Sequence, residues 1–287
     1  MNACCGLELS AEEICASLTR MAYSARPSTS VPDLVDVEIP VTRADVLQQC
    51  DIMEDVAIAY GFNNLPRSFP GKSGTIAAPL MINRLSDIVR IEAAMAGWSE
   101  VMPLILCSHA ENFDWLNRID DGKSAVRLAN PKTAEYQIVR TTLLPGLLKT
   151  IRENRRHSVP IKIFEVSDIA LIVPELERKS RNERHFAATW YGKTSGFENV
   201  HGLLDRIMLM LRSAFVEQGE GMDMHGYWIH EGQSATYLEG HSATVHVNCN
   251  GQDRVIGEFG ILHPSVLEKY GLKYPVTALE LNLEVFL

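Results

Sequence analysis

NPKTAEYQIVRTTLLPGLLKTIRENRRH, residues 130–157 of a 287-residue chain, is the most patterned stretch of the sequence. Asn130-Pro131 is a turn signal. Leu144, Leu147, Leu148 and Ile151 recur at helical spacing. Pro145 sits in the first helical turn, where its missing N–H costs nothing. Lys149, Arg152, Arg155, Arg156 and His157 follow on the last turns, where cations suit the helix dipole. The stretch holds no nucleophile and no metal cage. It reads either as a packed helix with a basic, solvated end, or as a basic face for RNA or an acidic partner.

Working outward, the chain divides into two blocks, 1–68 and 75–287, joined by the Pro- and Gly-rich NNLPRSFPGKSG (63–74). In the first block, Ser10 and Glu13 form a capping box ahead of Ile14, Leu18 and Met21. LVDVEIP (34–40) alternates Val35, Val37 and Ile39 with acids, a half-buried strand. VTRADVLQQCDIMEDVAIAYG (41–61) reads as one helix, capped through Thr42 and Asp45, with Val46, Cys50, Met53 and Ala57 inward and Gly61 ending it.

The second block opens with the helix MINRLSDIVRIEAAMAG (81–97), for which the spacing predicts Leu85, Ile88, Ile91 and Met95 inward. EVMPLILCS (100–108) reads as a strand. Further strands are predicted at IKIFEVSDIALIV (161–173), RHFAATWYG (184–192), SATVHVNC (242–249), RVIGEFGIL (254–262) and TALELNLEVFL (277–287). GFENVHGLLDRIMLMLRSAF (196–215) is a helix with Val200, Leu203, Leu204, Ile207, Leu211 and Phe215 on one stripe. Runs of strands with helices on one side predict an antiparallel sheet and an α+β class.

Hydrophobic residues make up 46%, enough for a real core, and the net charge is −9 with a pI near 5.5. An acidic chain does not wrap nucleic acid unaided, because phosphate contacts rely on Lys and Arg. The six cysteines, Cys4, Cys5, Cys15, Cys50, Cys107 and Cys249, are scattered without a CxxC pair. They read as reduced packing thiols of an intracellular protein. His241 and His246 near Cys249 lack a zinc spacing on one strand face. No run reaches the ~18 apolar residues of a membrane span, and no signal peptide is evident. P-loop and nucleophile-elbow motifs are missing. GEGMDM (219–224) is a weak glycine-loop match, and Pro264 makes His263 an extended turn residue.

The densest acidic cluster is Asp45, Asp51, Glu54 and Asp55. The last three are spaced to share one helix face, and their oxygens suit Mg²⁺. On spacing alone, a solvated acidic face is the plainer reading of them. On one continuous helix, Asp45 would lie about 13 Å from Glu54, too far for a single ion without waters, a helix break or another chain.

Two stretches, TRADVLQQCDIMEDVAIAYGFNNLP and NPKTAEYQIVRTTLLPGLLKTIRENRR, resemble the beta subunit of phenylalanyl-tRNA synthetase, archaeal and eukaryotic cytosolic type. KIFEVSDI (162–169), GFENVHGLLDRIM (196–208), IGEFGILHPSVLEKYGL (256–272) and the closing LELNLEVFL agree, in order. The resemblance implies a fragment, since such subunits carry further domains upstream, including one that hydrolyses mischarged Tyr-tRNA. Residues 1–68 would be part of the fifth, winged-helix-like domain. Residues 75–287 would be a catalytic-like module with the class II synthetase fold and no chemistry.

The residues support that inactivity. A class II site clamps ATP with arginines, yet the KIFEVSDI strand carries Phe164 and Glu165 where one is wanted, and no arginine follows Arg254. The resemblance therefore implies a cytoplasmic, non-catalytic subunit. It would work beside an alpha subunit that binds ATP, in an (αβ)₂ heterotetramer that charges tRNA(Phe). The helix at 81–97 would face that partner, and Asp45, Asp51, Glu54 and Asp55 would take the family's Mg²⁺ positions, with weak, largely water-mediated binding. Lys149, Arg152, Arg155 and Arg156 could contact RNA or a partner, while the rest of 130–157 is architecture. Two rival readings remain: a stand-alone scaffold or RNA-binding module, and an independent magnesium-dependent enzyme.

Overall fold

The computed structural model describes residues 1–29, 31, 33–67, 80–217, 226–249 and 252–287. A short helix α1 (Asn2–Cys5) precedes α2 (Ala11–Arg20). The capping box forms as its spacing requires: Glu13 N–H donates to the Ser10 hydroxyl, and Ser10 N–H donates to the Glu13 carboxylate. Strands β1 (Ser24–Pro27) and β2 (Val35–Glu38) pair antiparallel. Helix α3 spans Gln49–Tyr60 and ends at Gly61, whose φ of 101° suits a residue without a side chain. Ile14, Leu18, Tyr23, Val46 and Val56 form the core of this first unit, Met1–Ile76.

Helix α3 starts later than the sequence pattern predicts. Residues 41–47 form turns, closed by bonds from Arg43 N–H to Pro40 and from Val46 N–H to Arg43. Val46 still reaches the core, but from a turn. On the helix itself Val56, Ala57 and Ala59 are buried, while Cys50 is exposed.

The second unit, Ala77–Leu287, is built on an eight-stranded sheet. Its elements begin with α4 (Met81–Met95), β3 (Ser99–Glu100), β4 (Leu106–Cys107), α5 (His109–Asn112), β5 (Ile138–Val139) and α6 (Leu144–Glu153). Then come β6 (Ile161–Ile172), β7 (Ser180–Tyr191), α7 (Phe197–Met210), β8 (Ala214–Phe215) and β9 (Gly226–Glu231). The unit ends with β10 (Tyr237–Cys249), β11 (Gln252–Leu262), α8 (Pro264–Lys269) and β12 (Val276–Asn282). The sheet order is β3-β6-β7-β12-β11-β10-β9-β8. The six central strands pair antiparallel, while β3 with β6 and β8 with β9 are parallel, so the sheet is mixed.

Helices cover both faces of this sheet, not one. Strand residues alternate in side. Phe164, Phe186, Ala188 and Leu279 pack with Val89 of α4 and with Val200, Leu203, Leu204 and Ile207 of α7. Ile163, Ala187, Tyr191 and Ala278 pack instead with Leu144, Leu147, Leu148 and Ile151 of α6 and with Val266 of α8. The α6 residues are fully buried, as their spacing predicts, each contributing about 1.5–3 kcal/mol of burial. At Gly146 a side chain would collide with Pro103, so glycine lets α6 lie against the segment before β4.

Three local readings change. EVMPLILCS is not one strand: Pro103 lacks an N–H for a ladder, and Met102, Leu104 and Ile105 are exposed between β3 and β4. The stripe on α7 stops at Met210, leaving Phe215 exposed on β8. The last strand ends at Asn282 and a 3₁₀ turn, Glu284–Phe286, follows. GEGMDM lies outside the described residues. His263 is extended, as its proline neighbour requires, and caps α8 through Ser265 N–H.

Candidate functional site

Asp45, Asp51, Glu54 and Asp55 are drawn to different partners. Arg43 donates to Asp45 at 2.8 Å and forms an ion pair with Asp55 at 2.7 Å, so one guanidinium bridges the two carboxylates. Asp55 is buried and also accepts from the Tyr23 hydroxyl. Burial, then the Asp55 carboxylate, push the Tyr23 phenol up to about 12. Asp51 turns back along α3 and accepts from the N–H groups of Leu47 and Gln48, both at 2.8 Å. Those two bonds hold its carboxyl below the usual range. Glu54 is exposed. No three acidic, His or Cys side chains among the described residues gather where one metal ion could hold them. These residues therefore do not fit an inner-sphere Mg²⁺ site as they stand.

The helix-cap role passes from Asp45 to Asp51. Asp51→Ala should lower stability by about 1 kcal/mol, the cost of a lost cap. Asp45→Ala removes one exposed ion pair and should cost little. Denaturant titration of the two variants checks the order, and equal losses would sink it.

The basic end of α6 is narrower than the sequence pattern. Lys149 forms an ion pair with buried Glu111 at 2.9 Å, and Arg152 pairs with Glu153. Arg155 and Arg156 lie in the turn after the helix, exposed, and enter no ion pair among the described residues. The free charge is theirs.

Of the face predicted inward on α4, Leu85 packs partly buried against the core, while Ile88, Ile91 and Met95 turn outward. Ser86, Val89 and Ala93 are buried, while Met81, Ile88, Ile91 and Met95 are 70, 42, 61 and 72% exposed. The helix carries two apolar stripes, and the one with smaller residues packs toward α7 and β6. Met102, Leu104 and Ile105, in the segment between β3 and β4, are exposed apolar residues as well.

A polar arrangement that the sequence reading missed crosses the sheet. Glu165 lies opposite Ala187, Ala187 opposite Glu280, and Glu280 opposite Glu258. Opposed residues share a face, so three glutamates stand in one row. Each has its own base: Arg140 on Glu165 at 2.7 Å, His185 on Glu280 at 2.8 Å, and Arg118 on Glu258 at 2.8 Å. Thr142 and the Leu143 N–H also donate to Glu280. Burial outweighs Arg140 and pushes the Glu165 carboxyl up to about 7. Burial opposes charge on His185, but Glu183 and Glu280 overcome it and raise the imidazole to about 9. Only the alternation of Glu165 and Glu280 with apolar neighbours signalled this row. Its partners come from residues far apart in the chain.

His246 and His241 do not meet at a metal. His246 bonds Asp253 and stacks on Trp228, while His241 bonds the Glu239 carbonyl.

The model of the phenylalanyl tRNA synthetase beta chain CLM domain matches residues 65–283, and that of the tRNA synthetase B5 domain matches residues 1–62. The phenylalanine–tRNA ligase beta subunit of Schizosaccharomyces pombe is 50% identical over 288 residues, covering 100% of this chain and 49% of the relative. That of Saccharomyces cerevisiae is 48% identical over 292 residues, with 100% and 49% coverage. The cytoplasmic beta subunit of Arabidopsis thaliana is 41% identical over 288 residues, with 98% and 47% coverage. The chain spans about half the length of the curated relatives it matches.

Proposed function

We propose, from a chain that belongs to the phenylalanyl-tRNA synthetase beta-subunit family, that it is the non-catalytic beta-subunit portion of a phenylalanine–tRNA ligase. It supports ATP-dependent attachment of phenylalanine to tRNA(Phe) by an alpha subunit, in a cytoplasmic (αβ)₂ assembly. The observation that carries this reading is the solvent-facing stripe of Ile88, Ile91 and Met95 on α4. A soluble ligase subunit gains from exposing these side chains only if a partner covers them, since obligate interfaces are large and apolar. No helix among the described residues is long and apolar enough to cross a membrane, so a bilayer-spanning helix is not the cover.

The same reading takes residues 1–68 as a winged-helix-like domain and 75–287 as a class II-like module without chemistry. Its silence has a physical basis. Arg118, Arg140, Arg184 and Arg90 are paired with Glu258, Glu165, Asp168 and Glu100. An arginine neutralised by a protein carboxylate is a poor clamp for triphosphate. The test is pyrophosphate exchange with ATP and phenylalanine, by the beta subunit alone and with the alpha subunit added. Exchange is expected only in the second case, and exchange by the beta subunit alone would refute the reading.

Contact with tRNA is assigned to the end of α6, through Arg152, Arg155 and Arg156, with Lys149 held inward by Glu111. Neutralising Arg155 and Arg156 together should weaken tRNA binding by the assembled enzyme and flatten its salt dependence by about two phosphate contacts. An unchanged salt slope would remove this surface from the interface.

Magnesium at Asp45, Asp51, Glu54 and Asp55 is proposed as weak, water-mediated binding in competition with Arg43. The guanidinium occupies the space between Asp45 and Asp55, so Arg43→Gln should strengthen Mg²⁺ binding. Calorimetric titration at millimolar ion checks it. No heat in either protein would leave the quartet a solvated acidic face.

A further inference from the structure

The row that holds Glu165, Glu280 and Glu258 continues onto β10 and β9. Thr244 of β10 stands opposite Glu258, and His230 of β9 stands opposite Thr244. His246 follows Thr244 by two positions on β10 and shares its face. Asp253 of β11 pairs with Asn248, the next residue on that face, and reaches back diagonally to His246. Val255, opposite His246, is 61% exposed, so this end of the face meets solvent.

Asp253, His246 and Thr244 form a chain of hydrogen bonds. Asp253 lies 2.9 Å from His246 Nδ1, and Thr244 Oγ1 lies 3.1 Å from His246 Nε2. An ionised carboxylate only accepts, so Nδ1 carries the proton of the neutral imidazole. Nε2 is then an acceptor, and the bond to it is donated by the Thr244 hydroxyl. The Trp228 indole stacks on the imidazole, with centroids 5.8 Å apart and planes at 21°, and so fixes the plane of the ring. A hydroxyl that donates to an imidazole, whose other nitrogen is held by a carboxylate, is an alcohol activated as a nucleophile.

We propose that Thr244 is an acyl acceptor for activated carboxylic esters, with His246 as its general base and Asp253 as the positioning residue. The Thr244 oxygen attacks the ester carbonyl carbon while its proton passes to His246 Nε2. The tetrahedral intermediate then collapses. The bond between the carbonyl carbon and the leaving oxygen breaks, and His246 returns the proton to that oxygen. The products are the acyl ester of Thr244 and a free alcohol, with nothing oxidised or reduced. The reaction is separate from adenylate formation and does not rest on the proposed ligase role.

The experiment treats the full-length protein carrying this chain, assembled with its partner, with p-nitrophenyl acetate. Peptide mass mapping then follows the acetyl group on each hydroxyl residue with time. Thr244 should be acetylated about 10²-fold faster than the exposed Thr42 and Thr194, the gain a positioned base supplies. His246→Gln should remove that advantage. Asp253→Asn offers Nδ1 a donor, turns the imidazole to the wrong tautomer and should slow Thr244 by a similar factor. Asp253→Glu keeps the acceptor and should retain most of the rate, which a merely structural aspartate would not explain. Thr244→Ser should still be acetylated at this position. Asp253 is half exposed and its ion pair contributes little to stability, so melting temperatures should stay unchanged across these variants. Acetylation of Thr244 no faster than that of Thr42 and Thr194 would overturn the proposal. So would a Thr244 rate unaffected by His246→Gln or by Asp253→Asn.

Discussion

Replacing Ile91 with aspartate should leave this chain folded and stop it from holding the alpha subunit. Ile91 is 61% exposed on α4, between Ile88 and Met95 on the same stripe. In the free chain, the substitution exchanges one solvent-facing side chain for another, and surface changes of that kind cost within about 0.5 kcal/mol. In the proposed interface the same carboxylate is desolvated among apolar groups without a partner. Truncating one central interface residue costs about 2 kcal/mol or more, and an unpaired buried charge adds several. A loss of at least 10³ in affinity is therefore expected. Val89→Asp is the contrast. Val89, two residues earlier and on the opposite side of α4, is fully buried and faces α7 and the sheet, so its substitution should unfold the second unit. Co-purification of the two subunits, with circular dichroism of each variant, separates the outcomes. Wild-type recovery of the alpha subunit with Ile91→Asp would dismiss this face as the interface.

That stripe is also where periodicity misled the sequence reading. Leu85, Ile88, Ile91 and Met95 and the buried set Ser86, Val89 and Ala93 both recur at helical spacing. A hydrophobic period locates an apolar face without saying what covers it. The larger side chains were assigned to the core because a lone chain would put them there. In the proposed interface a partner covers them instead. Where one covering was available, on α6, the pattern was read correctly down to Leu144, Leu147, Leu148 and Ile151. Helix α3 failed for a different reason. Thr42 and Asp45 have cap chemistry, but so does Asp51, and only the position of Val46 in the core decides which is used. The glutamate row lay beyond any local pattern, because Glu165 and Glu280 meet their bases through sheet register. The row is completed by the β7–β12 register, in which Ala187 pairs with Glu280, about a hundred residues away. The family resemblance reached the right relatives because it rests on ordered motifs, and those motifs do not depend on knowing which way a helix faces.

Removing Arg140 should be among the most damaging single changes in the second unit, and the damage should depend on pH. Arg140 is 1% exposed, pairs with Glu165 at 2.7 Å and donates to the Asp168 carbonyl. Glu165 is equally buried. Arg140→Ala leaves a buried carboxyl without its cation, a change that costs about 3–5 kcal/mol. The carboxyl can escape by taking up a proton. In the intact protein, burial already raises it from 4.5 to about 7. A carboxyl raised in the folded state contributes stability that is fully present below its unfolded value. That contribution is lost as pH rises through the folded value. Wild type therefore loses this part of its stability between about 4.5 and 7. Without Arg140, burial acts unopposed and the carboxyl rises further, so the variant keeps losing stability above 7. The difference between the two proteins should then be smallest at pH 5 and grow toward pH 8. His185 is raised to about 9 by Glu183 and Glu280, with neither Arg140 nor Glu165 among the causes, so its contribution is expected to cancel in that difference. Glu165→Gln added to Arg140→Ala should abolish the pH-dependent part and recover stability at pH 8. Denaturant titrations at pH 5 and pH 8 on wild type, Arg140→Ala and the double variant provide the measurement. An Arg140→Ala loss below 1 kcal/mol, or one equal at both pH values, would show that Glu165 does not depend on Arg140 for its charge.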